Sequence, residues 1–207
     1  MPSREYHEAA WAALPDRCEP SDLELRMRFL LASVSAGERV LDVGCGDGRF
    51  AAELLRHGAD VVAVDVAEEA LRRAHAREGE LDLRLIEGEG RWALPDAAFD
   101  AVWAGEVIEH VADTAAWLSE VRRVLRPGGR LLLSTPAHGL LVRLRLALSA
   151  RAFEAHFNPL GEHLRFYTRA SLRRLIEEFG FDQVNVRAVG PRPWRPLLLA
   201  SARRGRF

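Results

Sequence analysis

Two kinds of apolar segment alternate along most of the chain. One kind is short and rich in Val, Leu and Ile, which is typical of buried strands. Five such segments occur: RVLDVG (39–44), ADVVAVD (59–65), LDLRLIE (81–87), FDAVWAG (99–105) and GRLLLST (129–135). The stretches between them have helical periodicity. This alternation predicts an α/β fold with a parallel sheet and helices on both of its faces.

The clearest helix lies in DTAAWLSEVRRVLRPGG. Its apolar stripe consists of Trp117, Leu118, Val121, Val124 and Leu125. We predict that Asp113 caps its start and that the Pro127-Gly128-Gly129 run ends it. An earlier helix is predicted within SDLELRMRFLLASV, where Ser21 and Glu24 have the spacing of a capping box.

The C-terminal part departs from the alternation. TRASLRRLIEEFGF predicts a helix that is capped by Thr168 and ends before Gly180. Two strand-like runs, FDQVNVRAVG and WRPLLLASARR, then follow without a helix between them. We therefore expect an antiparallel hairpin on the parallel sheet. Residues 136–167 fit neither pattern and are interpreted as an insertion.

Size and charge restrict the class of protein. The chain has 207 residues, 48% of them hydrophobic, which is enough for one domain with a full core. A formal net charge of −1 provides no global field for nucleic acid or an anionic membrane. No apolar run approaches the ~20 residues that span a bilayer. Cys18 and Cys45 have no disulfide or metal spacing, so we expect a cytoplasmic protein.

The stretch VLDVGCGDGRF carries the first functional signal. Its glycines, Gly44, Gly46 and Gly48, follow a strand, where bare backbone can approach a ligand. The spacing differs from the G-x-G-x-x-G of dinucleotide folds, and the chain contains no lysine to hold a triphosphate. Asp42 and Asp47 would repel a pyrophosphate and attract an ammonium or sulfonium group. The loop therefore favours a cationic nucleotide that bears an amino acid over NAD.

Two further acids follow the next strands. Asp65 ends the second strand, where it could accept hydrogen bonds from a ribose diol or instead cap the following helix. Glu89 follows the third strand, where an adenine amino group could be recognised.

Several motifs in order resemble those of class I S-adenosylmethionine-dependent methyltransferases. VLDVGCGDGRF is similar to the first motif, and VVAVDVAEEAL to the second. EGEGRWALPDAAFDAVWAGEVIEHV and EVRRVLRPGGRLLLSTP are similar to the next ones, and EHLRFYTRASLRRLIEEFGF resembles small methyltransferases of the ubiquinone-biosynthesis type. The resemblance implies a Rossmann-like, seven-stranded, mostly parallel sheet with an antiparallel last strand.

The resemblance also implies a cofactor site. Asp42, Gly44 and Gly46 are expected to line the methionine moiety, supported by Cys45 and Gly48. Further positions are Asp65 for the ribose, Val66, Glu89 and Gly90 for the adenine, and Glu106 beside the sulfonium. We expect one domain, with an N-terminal helical cap (1–36), a cofactor-binding core (37–135), a cap insertion (136–167), and a last helix with hairpin (168–207).

Candidates for catalysis lie at two places. In GEVIEHV, Glu106 and His110 would be neighbours if the segment were helical, and His110 could act as a base or have an architectural role. The insertion supplies His163 as a third candidate. We expect His138, His156, His163 and Tyr167 to contact the substrate. No metal is expected, because HFNPLGEH lacks a tight helical ligand pair.

The predicted function is methyl transfer from S-adenosylmethionine to a small molecule, at oxygen in the first instance. Nitrogen or carbon acceptors, an NAD-dependent oxidoreductase, and a non-catalytic cofactor-binding module remain alternatives. A nucleic-acid substrate is disfavoured, since AGEVIE replaces the Asn/Asp-Pro-Pro-aromatic loop that binds a base amine. A monomer or homodimer is expected.

Overall fold

The computed structural model describes residues 4–15, 19, 22–88, 90–158 and 163–205. Cys18, Ser21 and Glu89, which the sequence analysis singled out, lie outside these ranges. The helices within them are α1 Arg4–Ala13, α2 Leu23–Leu31, α3 Arg49–Arg56, α4 Glu68–Arg77, α5 Thr114–Val124, α6 Leu140–Leu148, α7 Ala150–His156 and α8 Arg169–Glu178. The strands are β1 Arg39–Val43, β2 Asp60–Asp65, β3 Asp82–Leu85, β4 Phe99–Gly105, β5 Leu125–Pro136, β6 Phe181–Val189 and β7 Leu197–Arg204.

The seven strands form one sheet in the order β3-β2-β1-β4-β5-β7-β6. Strands β1 to β5 pair in parallel, whereas β7 runs antiparallel to both β5 and β6. The predicted fold class, including the antiparallel last strand, is confirmed. The strand order reverses direction between β1 and β4, and ligands of open α/β sheets bind at the carboxyl ends of the strands at such a point.

Helices cover both faces of the sheet and bury two apolar clusters. One face packs Trp117 and Leu118 of α5 with Leu172 and Ile176 of α8. The other face packs α2 and α3 around Trp103, whose side chain is fully buried against Phe29 and Phe50. These two layers hold the ends of β1 and β4 in fixed positions beside each other.

The helix caps agree with the sequence in two of the three predicted cases. The Asp113 side chain accepts a hydrogen bond from the backbone N–H of Ala116. Thr168 and Ser171 form a reciprocal capping box at the start of α8. At α2 the N-cap residue is Asp22, which makes no side-chain cap hydrogen bond.

One local expectation was wrong, and two points that the sequence left open are decided by the structure. Helix α5 ends at Val124, and the Pro-Gly-Gly run lies inside β5, because Leu125 already pairs with Phe99 in the sheet. The segment after β4 is a turn closed by the His110 N–H on the Val107 carbonyl and not a helix. Asp65 is not the N-cap of α4, which is Ala67.

The insertion forms two helices, α6 and α7, and neither contributes a buried residue to the core. Their exposed apolar side chains include Leu144, Leu148 and Phe153. Among the described residues, no helix is both long and apolar enough to cross a membrane.

Candidate active site

The glycine loop after β1 makes a tight turn at the edge of the sheet where the strand order changes direction, between β1 and β4. Gly44 and Gly46 have positive φ angles of 68° and 56°, which favour glycine. A Cβ at Gly44 would lie 2.6 Å from a methyl group of Val107, so the loop also approaches the segment after β4 closely. The backbone N–H groups of Gly44 and Cys45 both donate to the Val64 carbonyl.

Asp65 fixes this loop from the end of β2. Its Oδ2 accepts a hydrogen bond from the Gly46 N–H at 2.9 Å, and its Oδ1 accepts one from the Ala67 N–H at 3.0 Å. Burial raises the pKa of this carboxyl, while its backbone hydrogen bonds oppose the rise. Each carboxylate oxygen can accept a second hydrogen bond, which is what the predicted ribose contact requires.

Asp42 is buried beneath the loop, and burial followed by the neighbouring Asp65 raises its pKa to about 8. Among the described residues, its Oδ2 has no hydrogen-bond partner. The second acid of the sequence argument, Asp47, forms an ion pair with Arg77, so the preference for a cationic ligand stays a prediction.

The other expected cofactor positions differ in environment. Gly48 is the N-cap of α3, and a Cβ there would collide with Ala74. Cys45 is buried in the core, which supports a structural role in the loop. Val66 is partly buried, and Gly90 is exposed with open space around it.

Glu106 begins the segment that follows β4, next to the glycine loop. It has a positive φ of 59°, which is rare for a residue with a side chain. Its backbone N–H donates to the Ser134 carbonyl, and its carboxylate accepts from the Ser134 hydroxyl at 2.9 Å. These two bonds to β5 hold the strained residue in place. Burial raises its pKa, and nearby Arg26 opposes the rise.

Glu109 is only 1% exposed. Its Oε2 accepts a hydrogen bond from the Thr135 hydroxyl at 2.9 Å, whereas its Oε1 has no partner among the described residues. Burial and then the charge of Glu106 raise its pKa to about 8. Its backbone carbonyl accepts from the N–H groups of Leu164 and Arg165 and so attaches the insertion to this segment.

His110 and His163 complete this cluster. Their rings meet edge to face with centroids 4.9 Å apart. Each of Glu109, His110 and His163 offers one ligand atom, and these atoms lie within 4.8 Å of one another. One carboxylate and two imidazoles are a donor set that binds divalent transition metals. HFNPLGEH, the segment weighed for a metal on the sequence alone, contains His163 but neither Glu109 nor His110.

Arg26 was also missed by the sequence analysis. It lies on α2 with 2% exposure, and its guanidinium sits 5.3 Å from the ring centroid of Phe50. Burial lowers its pKa, whereas Glu106 and Glu109 raise it. A charged residue four positions before the buried Leu30, on the same helix face, is the sequence signal that could have identified it.

The remaining predicted substrate residues form a second cluster. His138 Nε2 lies 2.9 Å from His156 Nε2, which joins the end of β5 to α7. The other ring nitrogen of His138 faces the Tyr167 carbonyl at 3.3 Å. Tyr167 is buried, and burial raises its pKa to about 12. Phe166 contacts both histidine rings, so this cluster is largely aromatic.

Comparison with known proteins decides the family. A family model described as a methyltransferase domain matches residues 6–186. The chain belongs to this methyltransferase family. Its curated relatives include the ubiquinone biosynthesis O-methyltransferases of Xylella fastidiosa strain M23, at 34% identity over 86% of this chain and 75% of the relative, and of Methylococcus capsulatus, at 33% identity over 82% and 74%.

Solved methyltransferases share the fold. Phosphoethanolamine N-methyltransferase 2 of Haemonchus contortus, solved with S-adenosylmethionine, gives a TM-score of 0.73 at 17% identity, covering 98% of this chain and 57% of that one. A methyltransferase of Methanosarcina mazei gives 0.66 at 22% identity over 86% and 97%.

These comparisons confirm the predicted enzyme class. The chain is an S-adenosylmethionine-dependent methyltransferase, and its curated relatives are biosynthetic O-methyltransferases. The alternatives of an NAD-dependent oxidoreductase and a non-catalytic module are not favoured. The glycine loop and Asp65 lie where the methyltransferase motifs predicted them, at the carboxyl ends of β1 and β2.

Proposed function

We propose that this methyltransferase transfers a methyl group to a hydroxyl oxygen of a small aromatic acceptor. The observation that carries the proposal is the cluster of Glu109, His110 and His163 at the carboxyl end of β4, next to the glycine loop. The names of the curated relatives, O-methyltransferases of ubiquinone biosynthesis, support oxygen as the acceptor atom.

The reaction requires alignment more than activation. A sulfonium is already a good leaving group, so holding the acceptor oxygen in line with the methyl–sulfur bond supplies much of the acceleration. A neutral phenol must also lose its proton, for which a group with a pKa near 7 is suited. The aromatic side chains of Phe157 and Phe166, 4.8 Å apart by ring centroid, support an aromatic acceptor under the insertion.

We further propose that Glu109, His110 and His163 hold a divalent cation, in place of the metal-free site expected from the sequence. The unpaired Oε1 of buried Glu109 supports this assignment, since a buried carboxylate oxygen without a partner is costly. When bound, the cation would supply positive charge that lowers the pKa of an acceptor hydroxyl. Thr135 orients Glu109, and Ser134 orients Glu106 beside it.

The test uses the purified chain with methyl-labelled S-adenosylmethionine and four acceptors: catechol, an alkylated catechol, aniline and a β-diketone. Mass spectrometry identifies the methylated atom. We expect O-methylated catechols as the main products. Products methylated only on aniline nitrogen or diketone carbon would replace the oxygen assignment with the alternatives.

The division of the chain into cap, core, insertion and hairpin remains a prediction. The cytoplasmic location and the monomeric or homodimeric state are also predictions. The proposed roles of His138, His156 and Tyr167 in substrate contact rest on their position between β5 and α7. The adenine contacts of Val66, Glu89 and Gly90 rest on their place after β2 and β3.

A further inference from the structure

A cavity of about 230 Å³ lies over β5, β6 and β7, beside the end of α2. The polar side chains that line it are those of Ser33, Arg130, Gln183, Ser201 and Arg203. In the sheet register, Arg130 is level with Ala101 of β4 and, through it, with Val40 at the start of β1. The cavity therefore lies at the opposite end of the parallel strands from the glycine loop, away from the methyl-transfer site.

Two arginines meet at this cavity. Arg130 of β5 and Arg203 of β7 are direct partners in the antiparallel register, so their side chains leave the same face of the sheet. Like charges in directly opposite positions destabilise a sheet. Arg130 forms an ion pair with Glu38. Within the described part of the chain, Arg203 donates to the Gly128 carbonyl at 2.9 Å but forms no ion pair, although Asp182 is its neighbour on β6. The described residues thus leave one guanidinium charge at the cavity without a counter-charge.

Gln183 lies in a bulge of β6 and lines the same cavity. The register of β6 against β7 shifts between Asp182 and Asn185, and Gln183 has a positive φ of 52°. This conformation is rare for a residue with a side chain, whereas glycine adopts it readily. The Gln183 amide and the Ser201 hydroxyl make no hydrogen bond to any other residue that the structure describes. Both groups can therefore donate to a ligand in the cavity.

We propose that this cavity binds a small oxyanion, a phosphate or a short-chain carboxylate. The planar guanidinium groups of Arg130 and Arg203 match the geometry of both anions, and the Gln183 amide and the Ser201 hydroxyl donate further hydrogen bonds. No carboxylate lines the cavity within the described ranges. Its volume is below the roughly 300–1,000 Å³ of pockets for drug-sized ligands, which fits a small anion. None of its lining residues is assigned to the methyl donor, the acceptor or the cation.

The test measures the binding of inorganic phosphate and of succinate to the full chain by titration calorimetry, at an ionic strength held constant with sodium chloride. S-adenosylhomocysteine is present at saturation in every sample, so that the glycine loop is already occupied. Arg203→Gln removes the charge that lacks a counter-charge. Arg174→Gln is the matched control, because it removes the same charge from an exposed position of α8, which packs on the other face of the sheet.

We expect saturable anion binding to the wild type and to Arg174→Gln, and binding to Arg203→Gln that is at least about tenfold weaker, because a hydrogen bond to a charged group is lost. Tighter binding of phosphate than of succinate identifies a phosphate site, and the reverse order identifies a carboxylate site. Equal dissociation constants in Arg203→Gln and Arg174→Gln, or no saturable binding of either anion to the wild type, overturns the proposal.

Gln183→Gly provides a second variant whose folding is not at risk. Glycine relieves the positive φ at residue 183, so this variant should unfold at the wild-type temperature or above it. Because it lacks the amide, it should bind the anion about two- to tenfold more weakly than the wild type. Wild-type anion affinity in Gln183→Gly likewise overturns the proposal.

Discussion

The Asp65 carboxylate accepts a hydrogen bond from the Gly46 backbone N–H at 2.9 Å. This contact joins the end of β2 to the loop after β1, so one acid shapes the glycine loop and faces the expected ribose position. The side chain that the sequence assigned to the ligand is therefore also a part of the loop's own structure.

Replacing Asp65 by alanine should accordingly impair both binding and folding. Each lost charge-assisted hydrogen bond to the cofactor costs roughly 1.5–3 kcal/mol of binding free energy. Calorimetric titration with S-adenosylhomocysteine measures this loss of binding free energy. Thermal denaturation without ligand measures the folding stability that is lost with the hydrogen bond to Gly46. Asp60→Ala, at the exposed start of the same strand, is the control; its ion pair with Arg39 is exposed and contributes little, so both quantities should stay close to wild type. Unchanged affinity in Asp65→Ala would contradict the ribose assignment.

The buried carboxyl of Glu109 should make stability depend on pH. Its pKa in the folded chain is raised to about 8 by burial and by Glu106. The folded state therefore keeps a proton that the unfolded chain loses from about pH 4.5 upward, so this contribution is complete at low pH and declines as pH rises toward 8. Glu109→Gln should reduce the slope by up to about 1.4 kcal/mol per pH unit.

Denaturant unfolding from pH 4.5 to 8 in the presence of a chelator measures this slope. Glu24→Gln, in an exposed pair with Arg28, is a suitable control and should leave it unchanged. If Glu109→Gln and the wild type have parallel profiles, the Glu109 carboxyl is already ionised across this range.

Cation binding should be visible without turnover. After chelator treatment, adding Mg²⁺, Mn²⁺ or Zn²⁺ should stabilise the wild type by about 2.7 kcal/mol at a concentration 100 times the dissociation constant. His163→Ala removes one ligand from an exposed side chain and should lose this gain. His75→Ala, at an exposed position of α4, should retain it. Equal stabilisation in both variants would place the cation elsewhere.

The bond between His138 and His156 should affect the acceptor and not the cofactor. Removing one partner by His156→Ala costs about 0.5–1.5 kcal/mol. Because the pair lies at the proposed acceptor site, we expect this loss to appear as a roughly two- to tenfold rise in KM for the alkylated catechol. The affinity for S-adenosylhomocysteine should not change. Arg151→Ala, on the exposed face of the same helix, serves as the control. A changed affinity for S-adenosylhomocysteine in His156→Ala would contradict the assignment of this pair to the acceptor.

Features encoded within short stretches were predictable from the sequence. The strand–loop–helix run around Gly44 and Gly46, and the cap of α8 at Thr168, depend on residues only a few positions apart. By contrast, Glu109 meets Thr135 across 26 residues, and His163 reaches His110 only after the whole insertion has folded back. The pairing of Arg130 with Arg203 is of this second kind, because the two residues meet only when β7 pairs with β5.

Cation-dependent O-methylation is tested by an assay in which the concentration of the divalent cation is controlled. Chelator-treated wild type and Glu109→Gln receive methyl-labelled S-adenosylmethionine and catechol, with and without Mg²⁺, Mn²⁺ or Zn²⁺, and labelled product is measured. The account predicts an O-methylated catechol that the wild type forms only with a cation and that Glu109→Gln does not form. Equal product from both proteins in chelator would contradict it.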